Sequence, residues 1–273
     1  MNKRPWTIAA ALLAAAIITL VIVVASLTRN PSEDTTATAA PEPPPAASLQ
    51  SSPPDQTGEL VPDAMGRRVL DVGQVPGKPL AQTESPGDFP AGTEPVGPPA
   101  GLELQRVARG VTIGVSTSDG PTGIEDGVLT GFARSPQGAG LLAMTHRARV
   151  IAAGPEYTAF LKYYFPDAFA QLSPTMINEI EAKDESKMRD YMSTGYLAPS
   201  WFKVRACDDN FCTVETADVP LKEALGAVPE EAQGADRHSV TRVSMAWRGD
   251  HWVIVKTDAY NVEALDDSWV RWL

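Results

Sequence analysis

The fold is decided by the stretch VTRVSMAWRGDHWVIVKTDAY, residues 240–260. Its first half alternates polar residues with the apolar side chains of Val243, Met245 and Trp247. A period of two residues is typical of a strand with one wet and one buried face. Gly249-Asp250 then gives a tight turn, and a second run rich in β-branched residues follows. The stretch therefore predicts an antiparallel hairpin formed by residues 238–248 and 251–260.

A second predicted hairpin precedes this one and contains both cysteines of the chain. Residues 201–207 and 211–219 are rich in β-formers and are separated by a short polar turn. Cys207 and Cys212 flank that turn at positions where cross-strand Cβ atoms come close enough for a disulfide. We expect the disulfide, since an exported domain meets an oxidising environment. Two small buried thiols are the alternative, and a C-x4-C pair without a nearby histidine makes a poor metal site.

Serine–proline pairs mark the starts of helices in the middle of the chain. Ser135-Pro136 and Ser173-Pro174 each place a capping serine before a proline at the first helical position. The first helix is expected to end at Gly154, and Pro155 starts another. The helix after Ser173-Pro174 is predicted to run as one element to Gly195, with an apolar face on one side.

These elements predict an α+β domain over residues 101–273. The helices of residues 136–192 are expected to cover one face of a curved antiparallel sheet built from residues 200–260. Residues 102–115 predict a short hairpin, and residues 128–132 predict a further short strand.

The N-terminus predicts a membrane anchor. Residues 1–5 form a short tip that carries Lys3 and Arg4, and residues 6–28 follow as an apolar stretch without a charge. Spanning a bilayer takes about 20 apolar residues, so the stretch is long enough for a transmembrane helix. The positive-inside rule then places the tip in the cytoplasm and the rest of the chain outside the cell membrane. A cleaved signal peptide is the alternative, although signal-peptide cores are usually shorter.

Residues 29–100 differ in composition from the rest of the chain. They hold 15 of the 24 prolines and almost no aromatic residues. Such a segment buries too little apolar surface to offset the entropy of ordering, so it predicts a disordered linker. The less proline-rich residues 66–72 are interpreted as part of this linker, with a docking segment as the alternative.

The charge of the chain argues against direct nucleic-acid binding. The net charge is −11 at pH 7, and the two basic residues of the N-terminal tip lie outside the globular part. Binding to phosphate backbones needs a basic surface. We therefore expect partners among membrane and envelope proteins, with a homo-oligomer as one form, and no direct contact with DNA.

Several local patterns resemble catalytic motifs without their structural context. Residues 138–143 have the glycine spacing of a dinucleotide-binding loop, but a helix start precedes them where a strand is required. Ser200 and Lys203 have Ser-x-x-Lys spacing, but positions i and i+3 of a strand face opposite sides. A pair of His146 or His251 with a carboxylate is the remaining acid–base alternative. We expect no catalytic residue, no cofactor and no metal site.

The segment that enters the first helix resembles a known family. The residues that carry the likeness are Gly120-Pro121-Thr122, Asp126-Gly127, Gly131-Phe132-Ala133 and Ser135-Pro136-Gln137-Gly138-Ala139. They resemble the uncharacterised membrane-anchored proteins encoded in integrative conjugative elements and plasmids of actinobacteria. That family often has a histidine where this chain has Arg134, so no role for a histidine is carried over.

The order of segments is also similar to that of the bitopic VirB/TraE-type assembly subunits of type IV secretion channels. That similarity implies a nuclear-transport-factor-2-like (cystatin-like) soluble domain. The Asn-Pro-x-Gly motif common in those subunits is missing from this domain.

Two function classes follow. The first is a non-enzymatic, membrane-tethered scaffold or assembly subunit of a conjugative DNA-transfer apparatus similar to type IV secretion. The second is an extracytoplasmic small-ligand-binding or enzymatic domain, since cystatin-like cones often enclose an apolar pocket. A carboxylate–histidine pair inside a pocket would favour the second class, and a filled interior would favour the first.

Overall fold

The C-terminal strands form a five-stranded antiparallel sheet in the computed structural model, which describes residues 58–90, 94–194, 198–225 and 236–273. The strand order is β10-β9-β8-β7-β11. The strands are β7 (Trp201–Cys207), β8 (Phe211–Ala217), β9 (His238–Arg248), β10 (His251–Val262) and β11 (Val270–Arg271). The two predicted hairpins are confirmed. The two-residue strand β11, which pairs with the start of β7, was not predicted from the sequence.

A second sheet of four strands is built from the N-terminal part of the described chain. Its order is β1-β2-β3-β4, and its strands are β1 (Glu59–Pro62), β2 (Arg68–Asp71), β3 (Glu103–Arg106) and β4 (Thr112–Val115). β3 and β4 form the predicted hairpin, whereas β2 and β3 pair in parallel. A small separate hairpin follows, with strands β5 (Gly123–Glu125) and β6 (Val128–Thr130).

The prediction of a disordered linker over residues 29–100 is wrong for its C-terminal part, which contains two strands. β1 and β2 lie within the stretch expected to be disordered, and residues 57–273 form one compact unit. These strands are ordered because they contact residues that are distant in the sequence, and composition does not reveal such contacts. Val69 is fully buried, and Arg67 donates hydrogen bonds to the Ser200 hydroxyl (2.8 Å) and to the Ala198 carbonyl (3.1 Å). Main-chain pairing with β3 adds hydrogen bonds that need no particular side chains.

Five of the six described helices follow the β5–β6 hairpin and precede β7, and the short sixth helix lies between β8 and β9. They are α1 (Pro136–Ala152), α2 (Pro155–Tyr164), α3 (Pro166–Phe169), α4 (Pro174–Glu181), α5 (Glu185–Thr194) and α6 (Leu221–Leu225). The predicted helix starts at Pro136, Pro155 and Pro174 are confirmed. The helix expected to run from residue 174 to 195 is instead two helices. Asp184 interrupts it, because its carboxylate accepts the amide N–H of Lys187 (3.1 Å) and so starts α5 as a new helix.

Helix α1 is the centre of the core and contacts both large sheets. A Cβ atom on Gly140 would lie 2.5 Å from the ring of Phe202 on β7. On the other side, a Cβ atom on Gly114 of β4 would lie 2.9 Å from Leu141. A helix packed on both sides buries nearly all of its residues, so α1 has no continuous solvent-exposed polar face. The fold is therefore α+β as predicted, and α1 and α2 are the helices that pack against the five-stranded sheet.

The predicted tip (residues 1–5) and transmembrane helix (residues 6–28) lie outside the described residues. Within the described ranges, none of the helices has both the length and the apolar character needed to cross a bilayer.

Candidate functional site

The segment that carries the family resemblance builds the start of α1. Ser135 caps the helix by accepting the amide N–H of Gly138 (2.9 Å), and its hydroxyl donates to Asp119 (2.5 Å). Asp119 is 1% exposed and also accepts from the Ser118 hydroxyl (2.5 Å) and the Gly87 amide (3.1 Å). The buried carboxylate thus receives three hydrogen bonds from uncharged donors, which is the arrangement that a buried charge requires.

At two positions of the same segment only glycine fits, because neighbouring atoms leave no room for a side chain. Gly131 has φ +75°, a conformation that side chains other than glycine rarely adopt, and it packs against Thr122. A Cβ atom on Gly138 would lie 2.8 Å from the amide nitrogen of Ala133. Ala133 in turn accepts a hydrogen bond from the Trp252 indole (2.8 Å). The residues of this segment therefore tie the start of α1 to β10, and their contacts are those of a folding motif.

A buried ionisable cluster lies beside the second half of α1. Arg147 forms an ion pair with Asp218, which follows β8, and it also contacts the hydroxyls of Thr241 and Ser239. Burial raises the pKa of Asp218 above its ordinary value of 3.8, although Arg147 opposes the shift. The Oδ1 atom of Asp218 has no hydrogen-bond partner among the described residues. The cluster is therefore less completely satisfied than the Asp119 site.

His238 joins the same cluster through the main chain. Its Nδ1 lies 2.7 Å from the Asp218 carbonyl oxygen, so Nδ1 carries the proton and donates it. Tyr191 of α5 lies near enough for the charge of Asp218 to raise its pKa, after the larger effect of burial. A carboxyl whose pKa is raised by burial is a group that can hold a proton above its ordinary range. The cluster can therefore respond to pH, and no motif in the sequence indicated it.

Two further buried arginines hold the end of α1 through carbonyl groups. Arg149 donates to the carbonyls of Ala108 and Pro76 (both 3.3 Å). Arg109, at φ +64°, donates to the carbonyls of Ala152 (3.2 Å) and Lys183 (2.9 Å). Burial lowers the pKa of Arg149 to about 10. Only the Ala152 carbonyl belongs to α1, where the last carbonyls of a helix lack intrahelical partners. The other three bonds connect the two arginines to neighbouring segments of the main chain.

The two histidines considered for acid–base chemistry lie in contrasting environments. His146 is 2% exposed and stacks on Phe160 (5.8 Å between centroids), and burial lowers its pKa to about 4. Its Nδ1 has no hydrogen-bond partner among the described residues. His251 contacts the neighbouring Asp250 carboxylate (3.0 Å), which is 97% exposed at a surface turn. Only the second histidine is therefore paired with a carboxylate, and that pair lies on the outer surface.

The other predicted positions have simple structural roles. Cys207 and Cys212 are directly opposite in the β7–β8 register and form the predicted disulfide. Ser200 accepts a hydrogen bond from Arg67, whereas Lys203 binds Asp266 (2.9 Å), so the serine and the lysine have separate partners.

A comparison with curated proteins and a comparison with solved structures each found no match. A comparison with protein-family models found one match, for residues 71–268, which are well over half of the chain. The matched residues include strands β3 to β10, all six helices and the Arg147–Asp218 cluster. The chain belongs to the family described as a domain of unknown function, DUF8175.

Proposed function

We propose that this protein is a non-enzymatic, membrane-tethered scaffold or assembly subunit of a conjugative DNA-transfer apparatus similar to type IV secretion. In this proposal the N-terminus is cytoplasmic, residues 6–28 span the membrane once, and the globular domain works outside it. In the same proposal the globular domain has a nuclear-transport-factor-2-like fold. Lys3 and Arg4 before an uncharged apolar stretch support the topology.

The observation that carries the proposal is the filled interior around α1. The space between this helix and the five-stranded sheet is occupied by buried side chains, namely Leu141, Phe202, Val214, Met245, Ile254 and Trp272. Trp272 packs on Phe202 with ring centroids 3.9 Å apart, and its indole donates to the Val96 carbonyl (3.2 Å). A sheet whose concave side is packed in this way presents its outer surface, rather than its interior, to other molecules.

The resemblance supports the same function class. The residues that carry the resemblance to proteins of actinobacterial conjugative elements also hold the start of α1 against β10, so the likeness concerns a segment that shapes the core of the domain. An acidic chain also suits a subunit that contacts other proteins, while its partners handle the DNA.

The test is deletion of the gene in a host that is competent for conjugative transfer. We expect DNA transfer to be lost, and to be restored by the full chain but not by a chain that lacks residues 58–273. A full chain with Glu263→Gln, a change at an exposed position, is the matched positive control for complementation. Unchanged transfer in the deletion strain would reject the proposal and favour the small-ligand alternative.

The topology is tested separately with reporters fused to the C-terminus. A phosphatase that is active only outside the cytoplasmic membrane should be active, and a reporter that is active only in the cytoplasm should be silent. The reverse pattern would reject the proposed orientation.

A further inference from the structure

The β5–β6, β7–β8 and β9–β10 turns lie together at one end of the domain. They form a surface that we call the tip surface. Its exposed apolar residues are Ile124 in the β5–β6 hairpin (44% exposed) and Phe211 at the start of β8 (40% exposed). These are two of the four most exposed large apolar side chains in the described part of the chain. Large apolar side chains that stay exposed on a folded domain are characteristic of interaction sites.

Side-chain contacts make the three turns one continuous surface. Arg134 donates to the Asp209 carbonyl (2.5 Å) and lies 5.5 Å from the centre of the Trp247 ring, which joins the β7–β8 turn to the β9–β10 turn. Tyr163 lies 5.0 Å from His251 between ring centroids and 3.5 Å from the Glu125 carboxylate, which joins the β9–β10 turn to the β5–β6 hairpin. The surface is held by packed aromatic rings, and the Cys207–Cys212 disulfide closes the hairpin that presents Phe211. It is therefore arranged before any partner arrives.

The charge around the apolar residues is acidic. Exposed carboxylates surround Ile124 and Phe211, and they belong to Glu125, Asp126, Asp208, Asp209 and Asp250. Three exposed bases, Arg134, Lys162 and Arg248, lie in or beside the same turns. The five carboxylates outnumber them, so the net charge that a partner meets there is negative. An acidic rim around apolar anchors is complementary to a basic protein surface that has an apolar pocket.

We propose that the tip surface is the docking site for a protein partner with a basic, pocketed surface, and that Phe211 is its apolar anchor. This inference rests on the proposed scaffold function, which it deepens by naming the contact face and the chemistry of the partner. The acids steer and orient the partner, while Phe211 and Ile124 provide the apolar contact that closes the interface.

The test uses the full chain in cells, with a photo-crosslinking phenylalanine analogue in place of Phe211. The control probe is placed at Leu60 on β1, which is 41% exposed and belongs to the hairpin that contacts Ala198 and Ser200 just before β7. We expect an adduct at position 211 and none at position 60. Mass spectrometry of the adduct should identify a peptide flanked by lysine or arginine.

A variant with reversed charges tests whether the acidic residues of the tip surface contribute to docking. Asp209→Lys with Asp250→Lys should lower the yield of the adduct at position 211 by about tenfold. Glu263→Lys with Asp267→Lys, which reverses two charges beyond the far end of β10, should leave the yield unchanged. Both pairs are exposed, and the unfolding midpoint of each variant verifies that the fold is kept.

The inference would be overturned if no adduct forms at position 211, or if the adduct persists after the charges at positions 209 and 250 are reversed. It would also be overturned if the adduct contains a second copy of this chain. The same adduct from position 60 would also overturn it. The scaffold proposal fails independently, by unchanged DNA transfer in the deletion strain. Lost transfer without an adduct would reject the tip surface alone.

Discussion

The two halves of α1 are both buried, but they are held by different chemistry. The first half starts at Ser135, and every contact of the Asp119 carboxylate there comes from a hydroxyl or an amide. The second half carries His146, Arg147 and Arg149, which are ionisable groups removed from water. The comparison indicates that the first half is held by uncharged donors around one carboxylate. Burial shifts the pKa values of His146 and of Asp218, the partner of Arg147, so the second half should make the domain sensitive to pH.

The largest expected effect comes from removing the Asp119 carboxylate. Asp119→Ala would leave two buried hydroxyls and the Gly87 amide without their acceptor. Each buried donor left without an acceptor costs about 1–3 kcal/mol, so the loss of the acceptor for three donors should lower the free energy of unfolding by at least about 3 kcal/mol. Urea unfolding at pH 7 measures the change. Asp267→Ala, at an exposed position, is the control and should alter stability by no more than about 0.5 kcal/mol. A loss as small as that of the control would show that the buried network is not what holds the start of α1.

The next effect tests the pH sensitivity of the second half through His146. Its pKa in the folded state is about 4, below the ordinary value of 6.5, so between these values the unfolded chain binds the proton more readily. Stability is therefore complete above pH 6.5 and falls as the pH drops towards 4. The loss from this residue should be about 3 kcal/mol. His146→Phe should remove that part of the acid-induced loss when unfolding is followed between pH 7 and 4.

A packing control distinguishes titration from a loss of contacts. Phe160→Leu removes part of the ring that stacks on His146 but keeps the histidine buried. We expect it to lower stability by a similar amount at every pH. If His146→Phe keeps the acid dependence of the wild type, His146 is not its source.

A somewhat smaller effect is expected from the Arg147–Asp218 pair. Arg147→Met keeps the apolar stem but leaves the Asp218 carboxylate without its cation. The pKa of Asp218 is already raised, and it would rise further, so the folded chain would hold the proton more readily than the unfolded chain above pH 3.8. Stability from this group is then present at low pH and lost as the pH rises. We expect the variant to be less stable by about 2–3 kcal/mol at pH 8 and by less at pH 5.

The exposed pair Arg237–Glu263 provides the matched control for this prediction. Arg237→Met removes the same guanidinium group from a pair on the surface, where such pairs contribute about 0–1 kcal/mol. Equal losses for the two arginine variants at pH 8 would remove the distinction between the buried cluster and the surface.

Sequence patterns predicted those parts of the fold that depend on neighbouring residues. The alternation in β9, the turn at Gly249-Asp250 and the serine–proline start of α1 are all local, so they were found. The sequence also contained an N-cap signal at Asp184 that would have divided the predicted long helix into α4 and α5. An apolar face continuing on both sides of Asp184 concealed it.

The remaining features depend on contacts between distant residues, and the sequence did not indicate them. The role of Asp119 was not predicted, because its partners Ser135 and Gly87 lie 16 and 32 positions away. Asp218 and Arg147 are 71 positions apart. The folded part of the proline-rich stretch was missed for the same reason, since β2 gains its stability from β3 and from the contacts of Arg67.

The smallest expected effect is the difference in stability loss when two helix caps of the same type are removed. Ser135 and Ser173 both precede proline and both accept a helix amide, from Gly138 (2.9 Å) and from Met176 (3.2 Å) respectively. A lost cap costs about 1 kcal/mol, which is the whole effect expected for Ser173→Ala on the exposed helix α4. Ser135→Ala should cost about 1 kcal/mol more, because it also removes a donor from the buried Asp119 carboxylate. Urea unfolding of the two variants gives the difference directly. Equal losses would mean that Asp119 does not need the hydroxyl of Ser135, and the start of α1 would then be held by its cap alone.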